Sequence, residues 1–470
     1  MQNLTLNLTK ESENLPLYLQ IYNQIVHEIK YGIMKTGEKL PSKKQLCLHL
    51  CVSQTTVENA YEMLLTEGYI RSIPKSGYYV LPYESLQLSY EKKGEPIPAL
   101  SNSQLSSDVY HYCLSTGSVD TTGFPFTTWA KISKEVMYNE PTLLSQGSNQ
   151  GDLTLRRTLI KYLHEFRGVN ADSSQLIIGA GTEYLLSLLC RILNEVKEIA
   201  MENPCYMRVY HNFLDHHKHV IPLPVTSNGI SLDALNQANC DLVYITPSHQ
   251  YPTGVTMPIG NRVRLINWAN EKQGRYILED DYDSEYRFSG RPIPSLQGLD
   301  QHDKVIYLGT FSRSIAPSIR ISYMILPKPL LDIYVNRFFY CSSTVSRFEQ
   351  NTLERFISGG YYTRHLNRTR NLYKRRKEEL LKLMKFYFQK DSYVIYGENL
   401  GLHFLIEIRN GMNEQELISM ALTEKIKIKG LSEYYIEGTS LYPTLVMGYS
   451  GLTIDEMKII IPLLKKVWNL

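Results

Sequence analysis

The sequence is poor in the residues that build disulfide or metal-held scaffolds. It has seven cysteines in 470 residues, and no two of them form a C-x-x-C pair or another spacing typical of metal ligands. The seven are Cys47, Cys51, Cys113, Cys190, Cys205, Cys240 and Cys341. This usage excludes a small disulfide-stapled domain and favours free thiols in a reducing cytoplasm.

Long apolar runs and a strong charge of either sign are also lacking. No run approaches the ~18 residues needed to cross a bilayer, and no secretory signal opens the chain, so we expect a cytoplasmic protein with no membrane partner. A formal net charge of +3 is too small to indicate a polyanionic partner by itself. With 43% hydrophobic and 21% charged residues, the composition is that of a globular protein of two or three domains.

The first pattern lies in residues 15–82 and predicts three helices and a hairpin. Apolar residues recur at three- and four-residue steps from Pro16 to Gly32. Ser42 is placed to cap a second helix and Ser53 a third, with a tight turn between them. A polar turn between β-prone runs at 75–80 predicts a wing. The segment therefore predicts a winged helix-turn-helix.

The third helix opens with short polar side chains, which suit base edges and phosphates when a helix enters the major groove by its N-terminus. The pattern LPSKKQL…VSQTTVENAYEMLLTEGYI…SGYYV resembles the GntR winged helix, which implies binding to double-stranded operator DNA. The implied DNA contacts are Lys43, Ser53, Gln54, Thr55, Thr56 and Lys75. The alternative is a protein-binding helical module, because residues 1–82 carry a net charge of only about +1.

Short apolar runs alternate with helical patterns in the second part of the chain. We expect strands at 176–178, 199–201, 241–246, 276–278, 305–308 and 321–326. Such alternation indicates an α/β protein with a mainly parallel sheet, whose ligand site lies outside the carboxyl ends of the strands.

An anion-binding loop is predicted between the last two of these strands. The hydroxyls of Thr310, Ser312 and Ser314 and the guanidinium of Arg320 could converge there on a phosphate. The glycine-rich turn at 179–183 precedes a helix, and free amides at a helix N-terminus also favour an anion.

These segments resemble fold-type I pyridoxal 5'-phosphate (PLP) enzymes, in the version carried by MocR-type regulators of the GntR family. The resemblance implies a large α/β domain with a small C-terminal α/β domain, and a homodimer. It also implies that Asp280 holds the pyridinium nitrogen, that Tyr282 and Gln250 reach the phenolic oxygen, and that Arg208 serves an anionic ligand group. The implied cofactor contacts are Gly181, Thr182, Tyr206, Gln250, Asp280, Tyr282, Thr310, Ser312, Arg313 and Arg320.

Arg313 stands where the family has the lysine that forms the Schiff base. A guanidinium stays protonated and is a very poor nucleophile toward an aldehyde. We therefore expect a regulator with no catalytic residue, whose pocket senses a small molecule, with PLP or a relative bound non-covalently. One alternative is a working aminotransferase that uses another lysine, although Lys304 and Lys328 look too far away. Another is an interaction module with a vestigial pocket.

The expected domains are a winged helix at 10–82, a linker at 83–112 and an aminotransferase-like domain at 113–470. Its small subdomain would cover about 366–470, with strands at 393–396, 401–408, 426–429 and 445–449. Many enzymes of this fold carry an arginine in the last of these segments to hold a substrate carboxylate, and this sequence has none there.

Overall fold

The chain forms two compact units that divide between Leu105 and Ser106. The structure, a computed structural model, describes residues 15–83, 110–120, 122–288, 293–338 and 340–470. Most of the expected linker, residues 84–109, lies outside these ranges. Within them, no helix is long and apolar enough to cross a membrane.

The first unit is a three-helix bundle with a two-stranded wing. Its helices are α1 (Leu17–Lys30), α2 (Lys43–Leu50) and α3 (Gln54–Thr66), and its strands are β1 (Ile70–Ile73) and β2 (Gly77–Val80). The two strands are antiparallel, with Ile70 opposite Val80. The winged helix predicted from the sequence is therefore present.

Caps explain why α2 and α3 begin where they do. The Ser42 hydroxyl accepts from the Gln45 amide in a capping box, and the Ser53 hydroxyl accepts from the Thr56 amide. Cys51 ends α2 in the left-handed conformation and so makes the tight turn into α3. Fully buried Ile25 and Val57 are among the residues that form the core beneath these helices.

The second unit is built on an eight-stranded sheet in the order β4-β11-β10-β9-β8-β5-β6-β7. The strands are β4 (Leu176–Gly179), β5 (Glu198–Asn203), β6 (His219–Thr226), β7 (Gly229–Ile230), β8 (Leu242–Ile245), β9 (Tyr276–Asp281), β10 (Val305–Thr310) and β11 (Ser322–Ile325). The central strands from β10 to β6 run parallel, whereas β11 is antiparallel to both neighbours. This is the mainly parallel sheet that the sequence predicts.

Helices connect these strands and cover the sheet. They are α4 (Phe126–Asn139), α5 (Leu153–Arg167), α6 (Thr182–Ile192), α7 (Met207–Asp215), α8 (Leu232–Gln237), α9 (Ile259–Asn270), α10 (Lys328–Arg337), α11 (Arg347–Ser358) and α12 (Tyr361–Tyr387). Strand β6 was not predicted because Pro222 and Pro224 interrupt its apolar pattern. Strand β6 tolerates both prolines because it lies near the sheet edge, where the short strand β7 pairs only with the last two residues of β6.

The small subdomain contains a four-stranded antiparallel sheet in the order β12-β13-β16-β15. Its elements are β12 (Tyr393–Tyr396), β13 (His403–Ile408), α13 (Glu414–Thr423), β14 (Ile426–Lys427), β15 (Lys429–Gly430), β16 (Thr444–Gly448) and α14 (Ile454–Trp468). The strand predicted at 426–429 is thus two short strands with different partners.

The linker predicted to reach residue 112 ends earlier. Tyr112 and Cys113 form strand β3, which pairs in parallel with β14 of the small subdomain. The amides of His111 and Leu114 donate to carbonyls on the same partner segment. Because this pairing joins residues more than 300 positions apart, local composition could not mark the boundary.

Candidate ligand pocket and nucleic-acid surface

A cavity of about 280 Å³ opens at the carboxyl ends of the parallel strands of the second unit. Strands β9 and β10 lead into Asp280 and Thr310, and the loop after β5 brings Tyr206. Nine of the eleven residues predicted for the cofactor or ligand line this cavity. They are Thr182, Tyr206, Arg208, Asp280, Tyr282, Thr310, Ser312, Arg313 and Arg320.

Asp280 lies at the bottom of the cavity with one oxygen bonded and the other not. The Tyr244 hydroxyl donates to Oδ2 at 2.7 Å, whereas Oδ1 has no hydrogen-bond partner within the described part of the chain. Burial raises the pKa of this carboxyl to about 7, against the opposing effect of the Tyr244 hydroxyl. A buried acceptor without a donor is costly and fits a ligand that brings one.

Tyr282 presents a phenol to the same cavity. Its oxygen lies 2.9 Å from His249 Nδ1, which is also 2.9 Å from a carboxylate oxygen of Asp283. Since a carboxylate only accepts, we assign the proton to Nδ1, which leaves the Tyr282 proton available to a ligand. Burial holds the pKa of Tyr282 far above its ordinary value, so the group stays a donor.

The phosphate loop is formed by the end of β10 and the residues before β11. Thr310 Oγ1 donates to Ser312 Oγ at 3.1 Å and accepts from the Ser322 hydroxyl at 2.9 Å. Arg320 takes the left-handed conformation and donates to the Ala180 carbonyl. Gly181 does not line the cavity, but a Cβ at this position would collide with the Arg320 guanidinium, so the absence of a side chain permits the approach.

Arg313 projects into the cavity from the loop after β10. Its Nη1 donates to the carbonyl of Thr116, and the Tyr286 hydroxyl donates to the Arg313 carbonyl. No lysine lines the cavity in the described ranges. Lys304 precedes β10, and Lys328 follows β11. Because these two strands are antiparallel, the start of β10 and the end of β11 lie together, at the edge of the sheet opposite the cavity.

Gln250 requires a correction as a direct ligand contact. Its side chain is buried, its amide nitrogen donates to the carbonyls of Pro204 and Tyr251, and its oxygen accepts from Thr253. These bonds shape the loop and leave the side chain outside the lining. Tyr251, the next residue, lines the cavity instead and meets the Tyr206 ring edge to face at 5.3 Å.

The first unit exposes the residues predicted to contact DNA. Ser53, Gln54, Thr55 and Lys75 are exposed, and Lys43 and Thr56 are half-buried. The Ser53 hydroxyl is used by its cap, and Lys75 is at the wing turn with a φ of 59°. Glu58, which the sequence did not single out, accepts from Gln54 at 2.9 Å and pairs with Lys43 at 3.8 Å.

Comparison with known families explains both units. Residues 17–80 match the bacterial regulatory proteins of the gntR family, and residues 113–439 match aminotransferase class I and II. A full-length relative, the probable rhizopine catabolism regulatory protein MocR of Rhizobium meliloti, is 30% identical over 95% of this chain and 92% of its own. The chain belongs to the GntR family, in its MocR-type branch.

Other proteins are similar to this MocR-type protein over most of their own length. The HTH-type transcriptional regulator YdeL of Bacillus subtilis is 38% identical over 97% of this chain and 98% of its own. The pyridoxine biosynthesis regulator PdxR of Corynebacterium glutamicum is 30% identical over 93% of both. Among solved structures, the kynurenine aminotransferase of Pyrococcus horikoshii superposes with a TM-score of 0.68 at 23% identity, covering 78% of this chain and 92% of its own. This likeness establishes the fold-type I architecture.

The residues of the MocR-type pocket fit PLP. Asp280 Oδ1 is an orphaned acceptor for a ring nitrogen, and Tyr282 is a neutral phenol donor. Thr310, Ser312 and Arg320 offer hydroxyls and a guanidinium to a phosphate. The sequence analysis missed Tyr244 and Tyr251, although Tyr251 directly follows the predicted contact Gln250.

Proposed function

We propose that this protein is a DNA-binding transcriptional regulator whose aminotransferase-like pocket binds PLP, or a phosphorylated relative, without a covalent bond. The observation that carries the proposal is a cavity with an orphaned Asp280 acceptor, lined by Arg313 and, within the described ranges, by no lysine. When bound, the cofactor supplies an aldehyde and an electron-withdrawing ring. Recognition rather than turnover is then the function of the site.

Each pocket residue has a defined part in this proposal. Asp280 accepts from the ring nitrogen, Tyr282 donates to the phenolic oxygen, and Tyr206 covers the ring. Arg313 already donates to the Thr116 carbonyl and retains further N–H donors, so it can bind a carboxylate of the ligand. Such a carboxylate is present in an amino-acid conjugate of pyridoxal phosphate, which the pocket could take preformed from solution.

The test of binding is equilibrium dialysis of the full chain against PLP and against N-(5'-phosphopyridoxyl)-L-leucine. We expect both to bind reversibly and the conjugate to bind more tightly, because only it offers a carboxylate to Arg313. Operator binding measured with and without each compound tests sensing. Transamination of amino acids by the purified protein would contradict the proposal.

DNA recognition gives a prediction with two different signatures. Lys43→Ala removes a phosphate contact and should weaken binding to specific and random DNA alike. Gln54→Ala removes a base-edge contact and should relax preference at one position of the site, at a cost of about 1–3 kcal/mol there. Both are measured by fluorescence anisotropy at fixed salt, with Lys30→Ala on α1 as the control. Equal losses on both DNAs for Gln54→Ala would refute the assignment.

Assembly gives a second prediction, a homodimer that reads paired half-sites. Large apolar side chains are exposed along α4 and the turn after it, with Met137, Tyr138 and Leu144 at 66%, 77% and 80%. Sedimentation at micromolar concentration should give the dimer mass, and Leu144→Asp should shift it toward monomer. Phe386→Asp, at a side chain 78% exposed in the second unit, is the matched control. A wild-type monomer with and without DNA would contradict the prediction.

A further inference from the structure

Glu183 lies in the part of the cavity that the phosphate loop surrounds. It follows Thr182 in the first turn of α6, and both residues line the cavity. Its Oε2 accepts from Arg320 Nη2 at 3.0 Å, and its Oε1 lies 3.7 Å from Arg208 Nη1. One carboxylate therefore engages both arginines that the sequence assigned to anionic ligand groups.

Glu183 is charged under ordinary conditions. Burial alone would raise its pKa, but hydrogen bonds from its own backbone amide and from Arg320 outweigh burial and lower it. The α6 N-terminus also favours a negative charge at this position. A dianionic phosphate that approaches Arg320 must therefore either meet this carboxylate or displace it.

We propose that Glu183 is a specificity-determining residue, an internal competitor that holds Arg320 and Arg208 and must be displaced by the phosphate of a ligand. The inference rests on the proposed function of the pocket and goes beyond it. Phosphorylated ligands lose part of the gain from Arg320, because they break the ion pair and approach a like charge. Ligands without a phosphate keep the pair intact, so the wild-type pocket discriminates only weakly between PLP and pyridoxal.

The test compares wild type with Glu183→Gln, which removes the charge and keeps the size and the acceptor oxygen for Arg320. Binding of PLP, pyridoxal and inorganic phosphate is measured on the full-length protein by ligand-dependent shifts in Tm and by equilibrium dialysis. We expect Glu183→Gln to bind PLP at least about tenfold more tightly, equivalent to about 1.4 kcal/mol, and to gain protection by inorganic phosphate. Its Kd for pyridoxal should change less than about twofold, because pyridoxal does not compete for Arg320.

A second variant and a control separate the alternatives. Glu183→Ala should show the same selective gain for PLP, and Glu165→Gln, at an exposed carboxylate of α5 outside the lining, should show none. Weaker PLP binding in both Glu183 variants would overturn the inference and make Glu183 a residue that positions Arg320. An equal change for PLP and pyridoxal would overturn it too.

Failure of the proposed function has a different signature. If neither wild type nor Glu183→Gln binds PLP but the variant gains protection by inorganic phosphate, the PLP proposal is wrong and the role of Glu183 stands. If the variant gains neither PLP affinity nor phosphate protection, the inference is overturned.

Discussion

Arg313→Lys is expected to convert reversible binding of PLP into covalent binding. A lysine amine at this position, in a cavity with the other contacts in place, attacks the aldehyde, whereas the guanidinium of the wild type cannot. After borohydride reduction, mass spectrometry should find the cofactor mass on the introduced lysine of the variant and no lysine-linked adduct in the wild type. Dialysis should strip PLP from the wild type only.

The matched control is Arg208→Lys, which places a lysine at the mouth of the same cavity, on a side chain 71% exposed. It should show no adduct, because an amine on so exposed a side chain is solvated and stays protonated at neutral pH, whereas the attacking form is the neutral amine. A stable adduct in the wild type would mean that another lysine reaches the pocket. An Arg313→Lys variant that binds no PLP would mean that the remaining residues do not form a PLP site.

Asp280→Asn is expected to weaken the binding of PLP and to stabilise the ligand-free protein. The amide cannot accept a charge-assisted hydrogen bond from a ring N–H with the strength of a carboxylate, so PLP affinity should fall by about 2 kcal/mol, roughly 30-fold. Equilibrium dialysis at neutral pH measures this loss. Asp241→Asn, at a surface carboxylate paired with Lys272, is the control and should leave PLP binding unchanged.

The same substitution should stabilise the ligand-free protein at alkaline pH. Burial raises the pKa of Asp280 to about 7, above the value of about 3.9 in an unfolded chain. Between these two values the folded protein holds a proton that the unfolded chain has released, so this group makes stability fall as the pH rises from about 4 to 7. Asp280→Asn has no such proton.

Chemical unfolding of the ligand-free variant at pH 5 and pH 8 checks this sign. The free energy of unfolding of Asp280→Asn relative to wild type should rise between the two pH values. About two pH units separate pH 5 from the pKa of about 7, so the rise is on the order of 2–3 kcal/mol, reduced by coupling to neighbouring acids such as Asp281. A constant difference, or one that falls with pH, would show that Asp280 is ionised in the folded protein without a ligand.

Local sequence rules were sufficient for the first unit. Ser42 and Ser53 cap the helices that they precede in sequence, and the wing forms between residues fewer than a dozen positions apart. Such elements depend on hydrogen bonds within a few residues, so their pattern predicts them directly. The resemblance to GntR regulators rested on this segment and is confirmed.

The sequence also determined which strand ends form the pocket. Asp280 and Thr310 lie at the carboxyl ends of the parallel strands β9 and β10, and Arg320 precedes the antiparallel β11, so all three reach the same edge of the sheet. The type and order of the main strands therefore placed nine of the predicted residues together. The sequence alone also raised the hypothesis that Arg313 occupies the position of the Schiff-base lysine, because Arg313 lies within an otherwise recognisable segment.

Only the tertiary structure decided which side chains of each loop point inward. Gln250 and Tyr251 are adjacent in sequence, yet the first is consumed by bonds to Pro204 and Thr253 and the second lines the cavity. Likewise, Glu183 reads as an ordinary acidic residue at a helix start until Arg320, 137 positions away, is seen to donate to it. These outcomes depend on contacts between distant segments, and no local pattern encodes which distant partner a side chain will meet.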